Sequence, residues 1–561
     1  MEVIDTINDL LWGYLLIGLL LVAAVWFTVK TCGVQFRMFG EMLRLLVKSG
    51  KVETKGTDSV RDSDRIVVGG SDGRVAVGSE GRAVGWSEGR VAEDSDRRVV
   101  ENSDRRADGE LEELDGRAVG ASDRRAVGDS DGRGVGGADR RGGEASDGRD
   151  GGGSGRKGVS AFQAFAVSIA SRVGTGNLAG VATAIAVGGA GAVFWMWVIA
   201  LLGSASAFVE STLAQLYKVK GENSFKGGPA YYIQKGLGKR WWAVIFAVLI
   251  TVTFGLAFNS VQANTMTAAA KVSFGWDPVI VGSVITVLSL VVIFGGIHRI
   301  SRFSEIVVPV MAIAYIVLAI TVIGMNIGKL PEVFSMIFRE AFTGSAALGG
   351  GMGSALLMGI KRGLFSNEAG EGSAPNVAAT ASVSHPVKQG LLQTLAVFTD
   401  TLLICTCTAL IILFSGVVGN GESGIALTQS ALEAEVGGIG ATFVAIAVFC
   451  FAFTSIVSNY YYGETNLQFI SKRKWLVPVY RLVVGAIVMV GSVTSLDIVW
   501  ASADICMGLM TLCNLLAIFM LGKYAVRLLK DYTRQLKEGR NPVYHSSTIP
   551  EIASETECWN E

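Results

Sequence analysis

The sequence predicts an all-α polytopic membrane protein with eleven transmembrane helices. One N-terminal helix precedes two sets of five helices of inverted topology, and a long disordered insertion separates the first helix from the rest. Three observations carry this prediction. Apolar stretches long enough to cross roughly 30 Å of hydrocarbon recur eleven times. Of the 98 charged side chains in 561 residues, 44 fall within residues 51–160. The rest of the chain is therefore only about 12% charged, against roughly 25% in a soluble domain. Finally, glycine-rich breaks lie in the second and seventh apolar stretches, which each open a set of five.

The eleven stretches are 9–30, 162–187, 190–216, 241–268, 278–296, 303–325, 345–366, 390–417, 438–460, 476–494 and 498–522, referred to below as spans one to eleven. Backbone polar groups in lipid must be satisfied within the segment, so such runs are helical. The first run is too long for a cleaved signal and lacks its basic start. Basic residues alternate between loops. Lys218, Lys220, Lys226, Lys235, Lys239 and Arg240 follow span three. Arg299 and Arg302, then Lys361, Arg362 and Lys388, then Lys472, Arg473 and Lys474 mark the later loops on the same side. Residues 418–437 have no Lys or Arg. The positive-inside rule then places the N-terminus outside and the C-terminus in the cytoplasm, in a multi-pass cytoplasmic membrane protein. Segment 331–343 is too short to span and reads as an interfacial helix on the outer side.

The chain divides into five parts. Residues 1–50 are the N-terminal helix and a basic loop. Residues 51–158 form an octapeptide-repeat insertion (SDRIVVGG, SDGRVAVG, SEGRAVGW and so on). Each repeat offers one or two Val or Ala among Gly and opposite charges, too little apolar area to offset ordering entropy. The insertion is therefore expected to be disordered and cytoplasmic. Residues 159–326 and 327–522 are the two five-helix sets, and 523–561 is a cytoplasmic tail.

Span two breaks at Arg172-Val173-Gly174-Thr175-Gly176-Asn177, and span seven carries Gly349, Gly350, Gly351 and Gly353. A single glycine in a membrane helix signals close packing. Paired breaks in corresponding positions point further. Unwinding frees N–H groups that attract a carboxylate, and carbonyls that accept an ammonium group or ligate sodium. A small zwitterionic amino acid presents both charges. In span nine, Thr454 and Ser455 are adjacent hydroxyls in an apolar run. With carbonyls of the first break they offer the oxygen ligands that hard cations take, or else they bond back to their own helix. Gln262 in span four is either an amide contact for a carboxylate or interhelical glue. Ionisable groups within spans are functional suspects: Arg172, Glu210, Glu305, Asp400, Asp497 and Asp504. Cys405 and Cys407 lie two apart and face different sides of a helix, as small packing residues.

The stretches VGTGNLAGVATAI, GGAGAVFWMW, FKGGPAYYIQKGLG, VQAN, KRGLFSNEAGEGSAPN and FAFTSIVSNYYYGETN resemble the alanine or glycine:cation symporter family, the sodium:alanine symporters of the AlsT type. The resemblance covers about 1–50 and 158–545. It implies a LeuT-like 5+5 inverted repeat after the first helix, and import of alanine and/or glycine with sodium as the co-transported ion. By motif, Thr175 and Gly176 would hold the substrate carboxylate, helped by Gln262. Carbonyls around Gly351, Met352 and Gly353 would receive the ammonium group. Thr454 and Ser455 would join carbonyls near Val173 and Gly174 around sodium. Three features depart from the pattern: Ala190 stands where the family usually has Pro, about a hundred extra residues separate spans one and two, and Glu371 is unusual at an apolar position.

The function expected is sodium-driven import of a small neutral amino acid by alternating access. The partners are alanine or glycine, sodium and the bilayer. A proton-coupled carrier of another small amino acid and an inactive membrane scaffold are the alternatives. An enzyme lacks support, with no HExxH motif, no nucleophile elbow and three dispersed His. A net charge of zero gives no reason to expect nucleic acid.

Overall fold

With no water available in hydrocarbon, the apolar runs satisfy their amides as helices. The computed structural model describes residues 2–48, 158–221, 224–342 and 353–559, and these are mostly helical. Among the described residues, eight helices are long and apolar enough to cross a membrane: Val3–Lys30, Gly191–Leu216, Arg240–Phe274, Arg302–Met325, Pro386–Ser415, Gly438–Ile470, Leu476–Val493 and Leu496–Lys537. They coincide with spans one, three, four, six, eight, nine, ten and eleven. Span five is a shorter helix, Pro278–Ile293. Span two is divided, and span seven is described only from Gly353, as the helix Ser354–Asn367. The insertion at 51–158, except its last residue, and Gly349, Gly350, Gly351 and Met352 lie outside the described residues.

Helix Gly191–Leu216 is central. It packs against span seven on one side and Pro386–Val397 on another, and from Gly203 onward it is wholly buried. Its first N–H groups need partners from outside the helix. The Ala190 N–H donates to Glu340 Oε2 at 2.8 Å, at the end of helix Leu330–Glu340. A proline at 190 would lack that donor. On the perimeter, Ile306, Val310, Ile313, Val317 and Ile320 are exposed at helical spacing. Such an apolar stripe suits lipid rather than water.

Two local expectations are corrected. Lys361 and Arg362 are not loop residues and so report nothing about orientation. They lie inside Ser354–Asn367, where Asp504 of span eleven accepts from both, at 2.7 and 2.6 Å. Residues 418–437 are not simply a loop, because they contain the helix Gly424–Val436. Span eleven continues past 522 as one helix to Lys537, and the segment after it folds back. The Tyr544 N–H donates to the Ser384 carbonyl at 2.9 Å, and Trp559 Nε1 donates to the Gln215 carbonyl at 3.0 Å.

Candidate functional site

Span two unwinds where its sequence disfavours a helix. Ala161–Arg172 starts at a capping box of Ser160 and Gln163. It ends at Val173, whose backbone is extended (φ −76°, ψ 91°). A π-helical segment, Gly176–Gly180, then leads into Val181–Gly188. Two further π segments interrupt other spans, Thr253–Phe258 in span four and Phe398–Cys405 in span eight, and the second packs against the break. Wide turns of this kind are frequent at functional sites because they re-aim side chains.

One side chain of the break itself and one from span four hold the freed N–H groups. The Gly174 N–H donates to Asn177 Oδ1 at 2.9 Å, and the Thr175 N–H donates to Gln262 Oε1 at 3.0 Å. Asn177 in turn donates to Asp400 Oδ1 at 2.7 Å, while Ser366 and Thr401 donate to Asp400 Oδ2 at 2.7 and 2.8 Å. Asp400 thus ties the break to spans seven and eight. The Thr175 hydroxyl is buried without a hydrogen-bond partner. Since buried hydroxyls are nearly always bonded, this orphan needs an explanation.

Span nine approaches from the other side. Ser455 Oγ donates within reach of three carbonyls: Ala170 at 2.9 Å, Phe451 at 3.0 Å and Val173 at 3.4 Å. Thr454 Oγ1 donates to Phe451 of its own helix at 2.9 Å. The approach is close enough that a Cβ on Gly174 would stand 2.5 Å from Ser455 Oγ and 2.8 Å from Gln262 Oε1.

Aromatic side chains wall the region beyond Gly176, where a Cβ would meet Phe365 at 3.1 Å. Phe365 packs on Phe258 (centroids 4.5 Å) and on Trp500 (4.7 Å). Arg362 lies over Trp500 at 4.3 Å while paired to Asp504. Removing one partner of a buried ion pair leaves an uncompensated charge, at about 3–5 kcal/mol. Asp504→Ala is therefore expected to lower the thermal unfolding midpoint sharply, by leaving Arg362 and Lys361 unpaired. An unchanged midpoint would show the cluster to be energetically idle.

Of the residues singled out from sequence, Val173, Gly174, Thr175, Gly176, Gln262 and Ser455 converge around one break, while Thr454, next to Ser455, bonds within its own helix. Gly353 caps the helix Ser354–Asn367 from outside, and Gly351 and Met352 are not described. Arg172 turns toward span eight, donating to Gln393 Oε1 at 3.2 Å. Glu305 accepts from Gln163 at 3.4 Å. Sequence reasoning missed Ala170, Asn177, Ser366 and Phe365. Asn177 carried a signal, as a polar side chain inside the break. The Ala170 carbonyl carried none, because any residue has one. Among the described residues, no three His, Cys, Asp or Glu side chains are grouped as metal ligands.

A bundle of apolar helices wrapped around one unwound, polar segment is the architecture of a multi-pass membrane carrier. The chain belongs to the sodium:alanine symporter family, whose model matches residues 1–77 and 145–546. It is 53% identical over 402 residues to the probable sodium/glutamine symporter GlnT of Bacillus subtilis, covering 72% of this chain and 84% of that one. It is 53% identical over 404 residues to the amino-acid carrier protein AlsT of the same organism, covering 72% and 86%. It is 36% identical over 394 residues to the sodium/alanine symporter AgcS of Methanococcus maripaludis, covering 68% and 86%.

Proposed function

We propose that the protein imports a small neutral amino acid, alanine and/or glycine, together with sodium, by alternating access across the cytoplasmic membrane. The observation that carries this reading is the break at 173–176. It combines an unpartnered Thr175 hydroxyl, an N–H held by the exchangeable amide of Gln262, and a Ser455 hydroxyl among span-two carbonyls. A substrate carboxylate replaces Gln262 Oε1 as acceptor of the Thr175 N–H and takes the Thr175 hydroxyl, with Gly176 giving it room. Gln262 then donates through its amide nitrogen. Carbonyls around Gly351, Met352 and Gly353 receive the ammonium group. Sodium sits between spans two and nine, with Val173 and Gly174 carbonyls and the Thr454 and Ser455 hydroxyls as ligands.

In this reading the chain crosses eleven times, as one helix plus a 5+5 inverted repeat of 159–326 and 327–522. The N-terminus is outside. The insertion at 51–158 and the tail from 523 are cytoplasmic. Sodium orders the break, the amino acid bridges spans two, four and seven, and rocking of these spans opens the other side. The membrane potential contributes roughly 2.3 kcal/mol per charge per 100 mV. The relatives' names support sodium coupling and an amino acid substrate, and they include both glutamine and alanine.

The test is uptake of radiolabelled alanine, glycine and glutamine into proteoliposomes. Sodium-gradient-dependent uptake of alanine or glycine is expected, lost when potassium replaces sodium. Preference for glutamine would move the substrate assignment. Proton-driven uptake without sodium would move the ion. No uptake of any amino acid, with or without 52–157, would favour a membrane scaffold.

A further inference from the structure

The loop after span seven carries two glutamates into the interior. Glu368 and Glu371 are 1% and 0% exposed, and Glu210 of helix Gly191–Leu216 is 0% exposed. Their hydrogen bonding is unequal. Glu210 accepts from the Gly370 and Gly372 N–H groups at 3.1 and 3.0 Å and from Asn514 Nδ2 at 2.8 Å. Both glycines have positive φ, +89° and +86°, which turns those N–H groups inward at no steric cost. Glu368 accepts from the Ser171 and Ser373 hydroxyls at 2.6 and 2.5 Å. Neither oxygen of Glu371 has a partner.

Charge is unbalanced as well. Glu371 faces Glu368 on its own loop, Glu210 from span three and Arg172 from span two. Tyr232, from helix Pro229–Leu237, faces Glu210, and Asp400 faces Glu368. Arg172 is 2% exposed, and its Nε and Nη2 have no partner. It is the cation that Glu210, Glu368, Glu371 and Asp400 all face. Four buried carboxylates that share the field of one guanidinium cannot all be ionised. The carboxyl without a donor keeps its proton most firmly, because hydrogen bonds to the charged form are what favour ionisation. Burial first, then the neighbouring Glu368 and Glu210, push the Glu371 carboxyl well above the usual range. No grouping of acidic ligands fit for a metal ion accompanies it among the described residues.

We propose that Glu371 is a proton-binding site, occupied while the loop 368–373 is buried and emptied when that face of the protein opens to water. The sign follows from linkage. The buried arrangement holds a proton that the wetted one releases. Above the ordinary carboxylate value, about 4.3, each unit rise in pH therefore disfavours the buried arrangement tenfold, until pH passes the raised value. Acid keeps this face closed and alkali opens it. The proton site stands by itself; only its coupling to uptake rests on the function proposed above.

Infrared difference spectra of the purified full chain, titrated with pH, test the site without transport. The protein is expected to show a protonated-carboxyl C=O component that persists to neutral pH. Glu371→Gln and Glu371→Met should both lower its intensity by one carboxyl, and Glu305→Gln, outside the cluster, should leave it unchanged. In proteoliposomes, sodium-driven alanine uptake should vary with the pH on the side of residues 368–388, by up to tenfold per unit. Glu371→Gln should flatten that profile while retaining uptake. A component undiminished in both variants, or a Glu371-dependent part that titrates near 4.3 in the parent, overturns the proposal. An unchanged pH profile in Glu371→Gln overturns the coupling. Loss of that Glu371-dependent intensity together with no uptake from any protein supports the proton site and sinks the transport reading instead.

Discussion

Replacing Gly174 by alanine is expected to lower sodium-driven amino acid uptake about 100-fold while the protein still folds. The new Cβ falls 2.5 Å from Ser455 Oγ and 2.8 Å from Gln262 Oε1, well inside van der Waals contact. Both neighbours are end groups of side chains, so they move and the helices stay in place. These two groups hold the break: Gln262 accepts the Thr175 N–H, and Ser455 reaches the carbonyls of Ala170 and Val173. Displacements of about 1 Å in a positioned site cost on the order of 100-fold. The measurement is the initial rate of alanine uptake, normalised to monodisperse protein. Uptake close to that of the parent would mean that the break does not bind the substrate.

Ser455→Ala is expected to raise the sodium concentration for half-maximal uptake at least about tenfold, with a smaller effect on the maximal rate. Even outer partners of a metal site cost 10–100-fold in affinity when removed, and this hydroxyl is read as a direct ligand. Its geometry differs from that of its neighbour. Ser455 reaches across to span two, whereas Thr454 bonds only to the Phe451 carbonyl of its own helix. Thr454→Ala is therefore expected to shift the sodium curve less. A sodium titration of uptake for both variants decides the matter. An unshifted curve for Ser455→Ala would move sodium away from spans two and nine.

The two results read different failures. Gly174→Ala disturbs the carboxylate and sodium sides of the break together, so its loss is not recovered by raising sodium. Ser455→Ala touches one side and should be rescued by sodium in excess. The Asp504 variant tests neither, since it concerns the charges over Trp500 on the far side of Phe365.

Much of the architecture was legible because membrane helices are selected by a local rule. A segment that must satisfy its own amides in hydrocarbon declares itself by length and hydropathy. Spans one, three, four, six, eight, nine, ten and eleven accordingly match described helices. The break in span two was also local. Two glycines, a β-branched pair and Asn177 make a poor helix, and unwinding occurs there. The same local rule misled at Lys361 and Arg362. Charge in a sequence suggests a loop, but these two side chains are compensated inside the bundle by Asp504, 142 residues from Arg362. Likewise, Thr454 and Ser455 read as one pair of hydroxyls. A helix sends adjacent residues in different directions, and of the two only Ser455 hydrogen-bonds across to span two.

The sequence by itself determined the helical class and the position of the unwound segment, since each depends on neighbours in the chain. Only the tertiary structure decided which groups meet. It put Gln262 on the Thr175 N–H, drew Asp400 onto Asn177 and Ser366, and chose the Ala170 carbonyl for Ser455. It also left Glu371 without a donor among better-bonded carboxylates. These partners lie from tens to hundreds of residues apart. Their pairing is set by how helices pack, and side-chain packing leaves no periodic trace in a single sequence.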